Sequence, residues 1–213
     1  MKKIIAIILL PFIAFSLNAQ KVIERHVNLS PTGSVNLNIQ IADSITIRTW
    51  NKKEAYVRAF VNVNDNKNND DYKWDFDETG GSLNVTAKFD FPKGRSNDCC
   101  NNKTIITCFI YIPKNTNLSV ETINGNITIA GKTAEIKAKS ISGFVDMAVS
   151  PQRAAEVKLN TITGTMYSDF DFGEKDKDMK RVAGTAINSS LNGGGNNFIN
   201  LETISGDIFF HKS

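Results

Sequence analysis

In the second half of the chain, apolar and polar residues alternate in a pattern that occurs four times. The segments are 118–129, 136–147, 157–168 and 199–210, each built around one glycine: Gly125, Gly143, Gly164 and Gly206. Seven residues before the glycine stand Leu118, Ile136, Val157 and Ile199, and five before stand Val120, Ala138, Leu159 and Leu201. Two before stand Ile123, Ile141, Ile162 and Ile204, and two after stand Ile127, Val145, Met166 and Ile208. Period-two alternation on both sides of the glycine predicts strand–corner–strand units. The glycine suits a corner that needs a positive φ.

No such unit can bury its apolar face alone. Stacking successive units about 4.8 Å apart pairs their backbones and places like residues over like. The fold expected is therefore all-β, a β-helix or β-roll of stacked strand–corner–strand repeats. The Thr122/Ser140/Thr161/Thr203 and Asn124/Ser142/Thr163/Ser205 columns are expected to form hydroxyl and amide ladders at the corners. Glu121 and Lys139 would sit one above the other, a gain of about 0.2–1 kcal/mol. The glycine spacings are 18, 21 and 42. The last leaves room for a degenerate repeat, with Arg181–Gly184 keeping the period and Ser190–Gly193 keeping the residue types. The stretch 170–181, dense in alternating charge, reads as a solvated excursion from the coil. Gly193 to Gly195 reads as a tight turn.

From Val22 to Ile112 the strands alternate without the strict repeat. Residues 35–47 resemble an initial coil, and 56–63, 72–76, 83–89 and 105–112 follow as strands. The polar links 64–71 and 92–103 separate them. An exposed stack end invites aggregation, so this N-terminal portion is expected to be an antiparallel sheet that caps or extends the stack. The organisation expected is a leader at 1–19, an N-terminal β portion at 20–112 and a stacked-repeat portion at 113–213, the last two continuous.

The leader follows from Met1-Lys2-Lys3, an apolar run from Ile4 to Leu17, and a small residue, Ala19, at the cut. This is the layout of a secretory signal peptide, too short for a comfortable membrane span. Export to the periplasm or cell surface is expected, with no transmembrane segment after cleavage. Losing Lys2 and Lys3 takes the net charge from +3 to +1. Such a near-neutral chain without a basic stripe argues against a nucleic-acid partner. Export also makes one disulfide plausible among Cys99, Cys100 and Cys108. Cys100–Cys108 and Cys99–Cys108 both staple the loop before the strand at 104–112, and a vicinal Cys99–Cys100 bridge is strained. Three cysteines this close, with His26 and His211 far off in sequence, do not make a metal site.

Three stretches carry a resemblance to a known family: residues 110–127, the Leu191-Asn192-Gly193-Gly194-Gly195 turn, and the closing segment 201–208. From about Asp43 to its end the chain resembles the putative-adhesin family of exported bacterial proteins of unknown function, related to adhesin-head GIN-type domains. The resemblance implies a β-helical or β-roll domain outside the cytoplasm and supplies no catalytic residues.

Parallel β-helices include polysaccharide-cleaving enzymes, whose sites need clustered acids on one outward face. The outward columns Glu121/Lys139/Asn160/Glu202 and Asn126/Phe144/Thr165/Asp207 bring no two carboxylates together in successive repeats. Asp169 and Asp171 share a face at the start of the charged excursion, where a solvated edge is the simpler reading. Neither histidine lies near a Gly-x-Ser-x-Gly turn. Residues 64–71 lack the glycine and ligand spacing of a calcium loop and read as a hydrated hairpin. No catalytic, cofactor-binding or metal-binding residues are expected. Trp50, Trp74, Tyr56, Tyr72 and Phe76 are expected to pack in the core or across strands. Phe144, Tyr167 and Phe209 occupy outward columns and are the candidate partner-binding face, with cover by the 170–181 excursion the simpler reading. The function expected is a non-enzymatic, adhesin-like binding or scaffold protein for a glycan or an envelope or surface protein. The alternatives are a periplasmic partner in envelope-stress signalling and a carbohydrate-active enzyme.

Overall fold

The structure, a computed structural model, describes residues 20–91, 103–172, 181–183 and 186–213. Its strands are β1 (Lys21–Asn28), β2 (Ser34–Ile39), β3 (Ile41–Trp50), β4 (Glu54–Val63), β5 (Tyr72–Asp77), β6 (Leu83–Phe89), β7 (Thr104–Pro113) and β8 (Asn117–Ala130). They continue as β9 (Ile136–Ser142), β10 (Val145–Val149), β11 (Ala155–Thr161), β12 (Thr165–Ser168), β13 (Arg181–Ala183), β14 (Ala186–Leu191), β15 (Phe198–Thr203) and β16 (Ile208–Lys212). The chain is all-β, a β-solenoid. One face runs β5–β6–β2–β8–β9–β15–β11–β14, and the other runs β1–β4–β7–β3–β8–β10–β16–β12–β13. The long strand β8 bends through Gly125 and belongs to both.

The core lies between the faces, built from columns of like residues. Leu83, Val35, Leu118, Ile136, Ile199 and Val157 stack on one face. Ala59, Cys108, Ile45, Ile127, Val145, Ile208 and Met166 stack on the other. All of these are buried. Full burial of a large aliphatic side chain stabilises by about 1.5–3 kcal/mol, so the columns dominate the fold's stability.

The stacking order departs from the expected succession. The closing repeat, β15–β16, is inserted between β9–β10 and β11–β12. The segment 181–191 is not a degenerate fifth repeat running in the same direction. Its strands β13 and β14 return antiparallel along β12 and β11 and cap the stack. The opposite end is built the same way with the chain reversed. There β4 and β5 lie antiparallel outside the parallel pair β6–β7, and β2–β3 lies next inward. The N-terminal portion thus supplies both the antiparallel cap and two parallel coils.

The corners also differ from the expected geometry. Among the four corner glycines only Gly143 has a positive φ, 136°. The shared constraint is proximity. A Cβ on Gly164 would overlap the Gly206 carbonyl, one on Gly206 the Gly143 carbonyl, and one on Gly143 the Gly125 carbonyl. The hydroxyl column does not form a side-chain ladder. Thr122, Ser140, Thr161 and Thr203 point inward and donate to corner carbonyls, Ser140 to Gly125 at 2.9 Å and Thr161 to Gly206 at 2.9 Å. Because this hydroxyl takes the third inward position, the isoleucine after it is turned outward. Ile123, Ile141, Ile162 and Ile204 are 49, 38, 61 and 37 % exposed.

The 64–71 link is a corner between faces rather than a hairpin, since β4 and β5 do not pair. Its asparagines bond one another and the backbone, as in Asn69 Oδ1 accepting from Val63 N–H at 2.8 Å and Asn64 Nδ2 donating to Asn68 at 2.9 Å. Asn64, Asp65 and Asn66 adopt left-handed φ, which asparagine and aspartate tolerate better than most residues.

Gly206→Ala is expected to destabilise the fold by about 1–3 kcal/mol, the usual cost of overpacking, as measured by urea unfolding followed by circular dichroism. Alkaline pH supplies a second test. Burial pushes the Cys108 thiol up to about 12 and the Tyr72 hydroxyl higher still. Both groups hold their protons more tightly folded than unfolded, so the native state binds more protons above the ordinary thiol range. The stability that these two groups contribute should therefore be constant below about pH 8 and fall between about pH 9 and 12. A stability that rises over that window would contradict the buried placement.

Candidate binding face

Phe144, Tyr167 and Phe209 come together on the outer surface of the second face. Register sets them there: Tyr167 lies opposite Phe209, and Val145, next to Phe144, lies opposite Ile208. Phe209 and Tyr167 stack with centroids 5.1 Å apart and planes 7° from parallel. Phe144 meets Phe209 edge-to-face at 5.9 Å. All three are half-buried. Tyr167 and Phe209 each give one flat face to the other. Beside them His211 Nε2 and Asp146 Oδ1 pair at 2.7 Å. The described start of the excursion does not cover this ladder. Phe170 and Phe172 pack instead against the inward-facing Phe210, at 5.1 and 6.1 Å. Residues 173–180 lie outside the described residues.

A second aromatic group occupies the other end of the same face. Tyr56 lies opposite both Tyr111 and His26 in register. Trp50 stacks on Tyr111 at 5.3 Å, and His26 on Tyr56 at 4.4 Å. Lys52 sits over the Trp50 ring at 4.5 Å, and the Tyr56 hydroxyl bonds Glu24. Phe109 and Phe60 meet edge-to-face nearby. Trp50 and Tyr56 do pack across strands, but on the outside of the sheet. Tyr72, by contrast, is fully buried and donates to the Ile41 carbonyl at 2.6 Å, and Trp74 and Phe76 lean on the core at the cap. Alternation against the buried Val57 and Ile110 marks Tyr56 and Tyr111 as outward residues. Their partnership depends on the antiparallel β4–β7 register, which the sequence does not display.

A cross-strand ion pair lies on the first face. Glu121 and Lys139 are register neighbours, as expected, yet the ion pair forms diagonally, from Lys137 to Glu121 at 2.8 Å. Among the described residues no group of three or more His, Cys, Asp or Glu side chains is placed to hold a metal. Cys108 is a free thiol inside a core column, between Ala59 and Ile45. Cys99 and Cys100 lie outside the described residues.

Comparison with known proteins fits this architecture. The Toastrack DUF4097 family matches residues 35–211, which reach from β2 into β16 and leave out β1. The chain belongs to that family. The Toastrack fold also recurs in a solved structure described as a putative cell adhesion protein from Clostridium sporogenes, with a TM-score of 0.57 at 12% identity, covering 92% of this chain and 100% of that one. A putative adhesin from Bacteroides fragilis covers 92% of this chain and 99% of its own at 10% identity, with a TM-score of 0.32. No curated protein matches the chain. Among the described residues of the Toastrack domain, no helix is long and apolar enough to cross a membrane.

The ladder makes an energetic prediction. In a double-mutant cycle, Tyr167→Ala and Phe209→Ala should couple by about 0.5–1.5 kcal/mol. Tyr56→Ala and Tyr167→Ala, which lie in the two separate aromatic groups and share no ring partner, should add within about 0.5 kcal/mol. Urea unfolding of the four variants in each cycle reads both values.

Proposed function

We propose that the protein is exported and acts as a non-enzymatic binding or scaffold module of the cell envelope or surface. The observation that carries this reading is the outer face of the second sheet. Two aromatic groups there, Phe144/Phe209/Tyr167 and Trp50/Tyr56/Tyr111, are held on adjacent strands of a rigid ladder. Half-buried rings fixed by cross-strand register lose little side-chain entropy when covered, which suits recognition of a glycan or of another envelope protein. The description of the Clostridium sporogenes structure as a putative cell adhesion protein agrees with this reading, which rests on the geometry of this chain. The leader at 1–19 supports export, although it lies outside the described residues. The same reading assigns no catalytic residue, because the outward acids are dispersed or paired with bases, as Glu121 with Lys137 and Asp146 with His211.

A protein partner in envelope-stress signalling is the second reading, and β14 favours it. Its sequence, Ala-Ile-Asn-Ser-Ser-Leu, carries no charge and no proline. Among the described residues it pairs only with β11. Uncharged edges are what natural sheets usually avoid.

One set of variants separates these readings. Immobilised glycans and envelope extracts are probed with the purified chain, with Phe209→Ser and with Asn188→Lys. On the leading reading Phe209→Ser weakens binding at least about ten-fold and Asn188→Lys leaves it unchanged. Loss of one stoichiometric membrane partner on Asn188→Lys alone supports the edge instead. Turnover of a polysaccharide by the purified chain defeats both. Cell fractionation with surface proteolysis is expected to find the protein in the periplasm or at the surface.

A further inference from the structure

At the ends of the coils away from the glycine corners, the loops after β8 and β10 enclose an open cleft of about 590 Å³. Its walls carry Lys132 and Arg153, and its polar lining includes Asn115, Ser150, Gln152, Asn197 and Ser213, whose backbone N–H donates to the Val149 carbonyl at 3.0 Å. No Asp or Glu side chain lines it. Glu135, three residues on from Lys132, is not part of the wall.

Arg153 is half-buried, and its guanidinium is aimed by two hydrogen bonds. Nη1 donates to Thr133 Oγ1 at 3.1 Å and Nη2 donates to the Ala134 carbonyl at 2.5 Å. Both partners are neutral. Burial alone lowers its pKa, with no carboxylate contributing. A partly desolvated cation is ordinarily matched by an acid, and among the described residues no carboxylate forms an ion pair with Arg153. Lys132 is held by its backbone. Gly131 has φ 109° and faces Thr49 so closely that a Cβ would overlap its hydroxyl, and the Lys132 N–H donates to Thr49 Oγ1 at 3.0 Å. Asn115, in left-handed φ, donates its N–H to the Lys132 carbonyl at 2.9 Å. The Arg153 guanidinium is therefore aimed before any ligand arrives, and Lys132 is anchored beside it through its backbone, with an exposed side chain.

We infer that this cleft is an anion-binding site that takes a carboxylate or sulfate group carried on an extended ligand, with Arg153 as the principal contact and Lys132 as the second. Guanidinium presents a planar fork suited to two oxygens of such a group. The volume falls among sites for small organic ligands, about 300–1,000 Å³, and exceeds what a free ion fills. Ala148 in the wall lies two residues beyond Asp146 and four beyond Phe144, roughly 13 Å along β10 at the strand rise. A chain-like ligand in the cleft would run toward the aromatic ladder. The site goes beyond the reading of that ladder and does not depend on it.

Isothermal titration of the purified chain tests this with a heparin-derived tetrasaccharide, an oligogalacturonate, and inorganic sulfate and phosphate. At least one oligosaccharide should bind, more weakly as sodium chloride is raised. Arg153→Gln and Lys132→Gln should each weaken it about ten-fold or more, and Arg153→Lys should weaken it less than Arg153→Gln. Phe209→Ser, which tests the ladder, should leave the loss caused by Arg153→Gln in place. Tighter binding of the oligosaccharides than of the inorganic ions assigns the group to an extended ligand, and equal affinity assigns it to the free ion. Both keep the cleft as an anion site. Because Arg153→Gln also removes loop contacts, its unfolding midpoint is measured, and Lys132→Gln decides if that midpoint falls. No binding by any probe, or binding unchanged in both Arg153→Gln and Lys132→Gln, overturns the inference.

Discussion

The approach of one corner glycine to the carbonyl of the next sets the pitch of the whole stack. Gly125, Gly143, Gly206 and Gly164 follow one another in space, each with no room for a Cβ between it and the coil before. At that distance the strands on both faces reach hydrogen-bonding separation, about 4.8 Å. Like apolar residues then overlie one another in the core. A side chain at one corner would push two coils apart and weaken both ladders at once. The buried Thr and Ser hydroxyls complete the corner by satisfying carbonyls that the turn removes from the ladders, where an unmade hydrogen bond would cost about 1–3 kcal/mol.

A stack of parallel coils has two open ends, and this chain closes both by the same device. It runs outward, turns back antiparallel as a cap, and inserts a further coil inside the cap. Antiparallel return strands present a different edge from the coil they cover. They also carry more charge at one end, where β1 holds Lys21, Glu24 and Arg25, than at the other, where β13 holds Arg181 and β14 is uncharged. The two ends are thus alike in topology and unlike in chemistry. The same regularity builds the functional surfaces. Alternation that sends Ile208 and Phe210 inward sends Phe209 outward, and register brings it to Tyr167. The loop ends, freed from the repeat, hold the cations of the cleft.

Period-two alternation and the recurring glycine were sufficient to determine the strand–corner–strand units, the all-β class, the inward columns and the outward placement of Phe144, Tyr167 and Phe209. These are local properties, set by the direction in which successive side chains leave a strand. The sequence also placed Glu121 beside Lys139, because the first two repeats are neighbours in space as they are in the chain. Tertiary structure alone decided which coil lies beside which. Four nearly identical units carry almost the same pairing energy in any order, so nothing local says that the last repeat enters between the second and third. The antiparallel return of 181–191, the meeting of Tyr56 with Tyr111, the outward turn of the isoleucines and the unneutralised Arg153 all follow from that long-range choice. Each depends on contacts between residues far apart in the chain, which no spacing along it records.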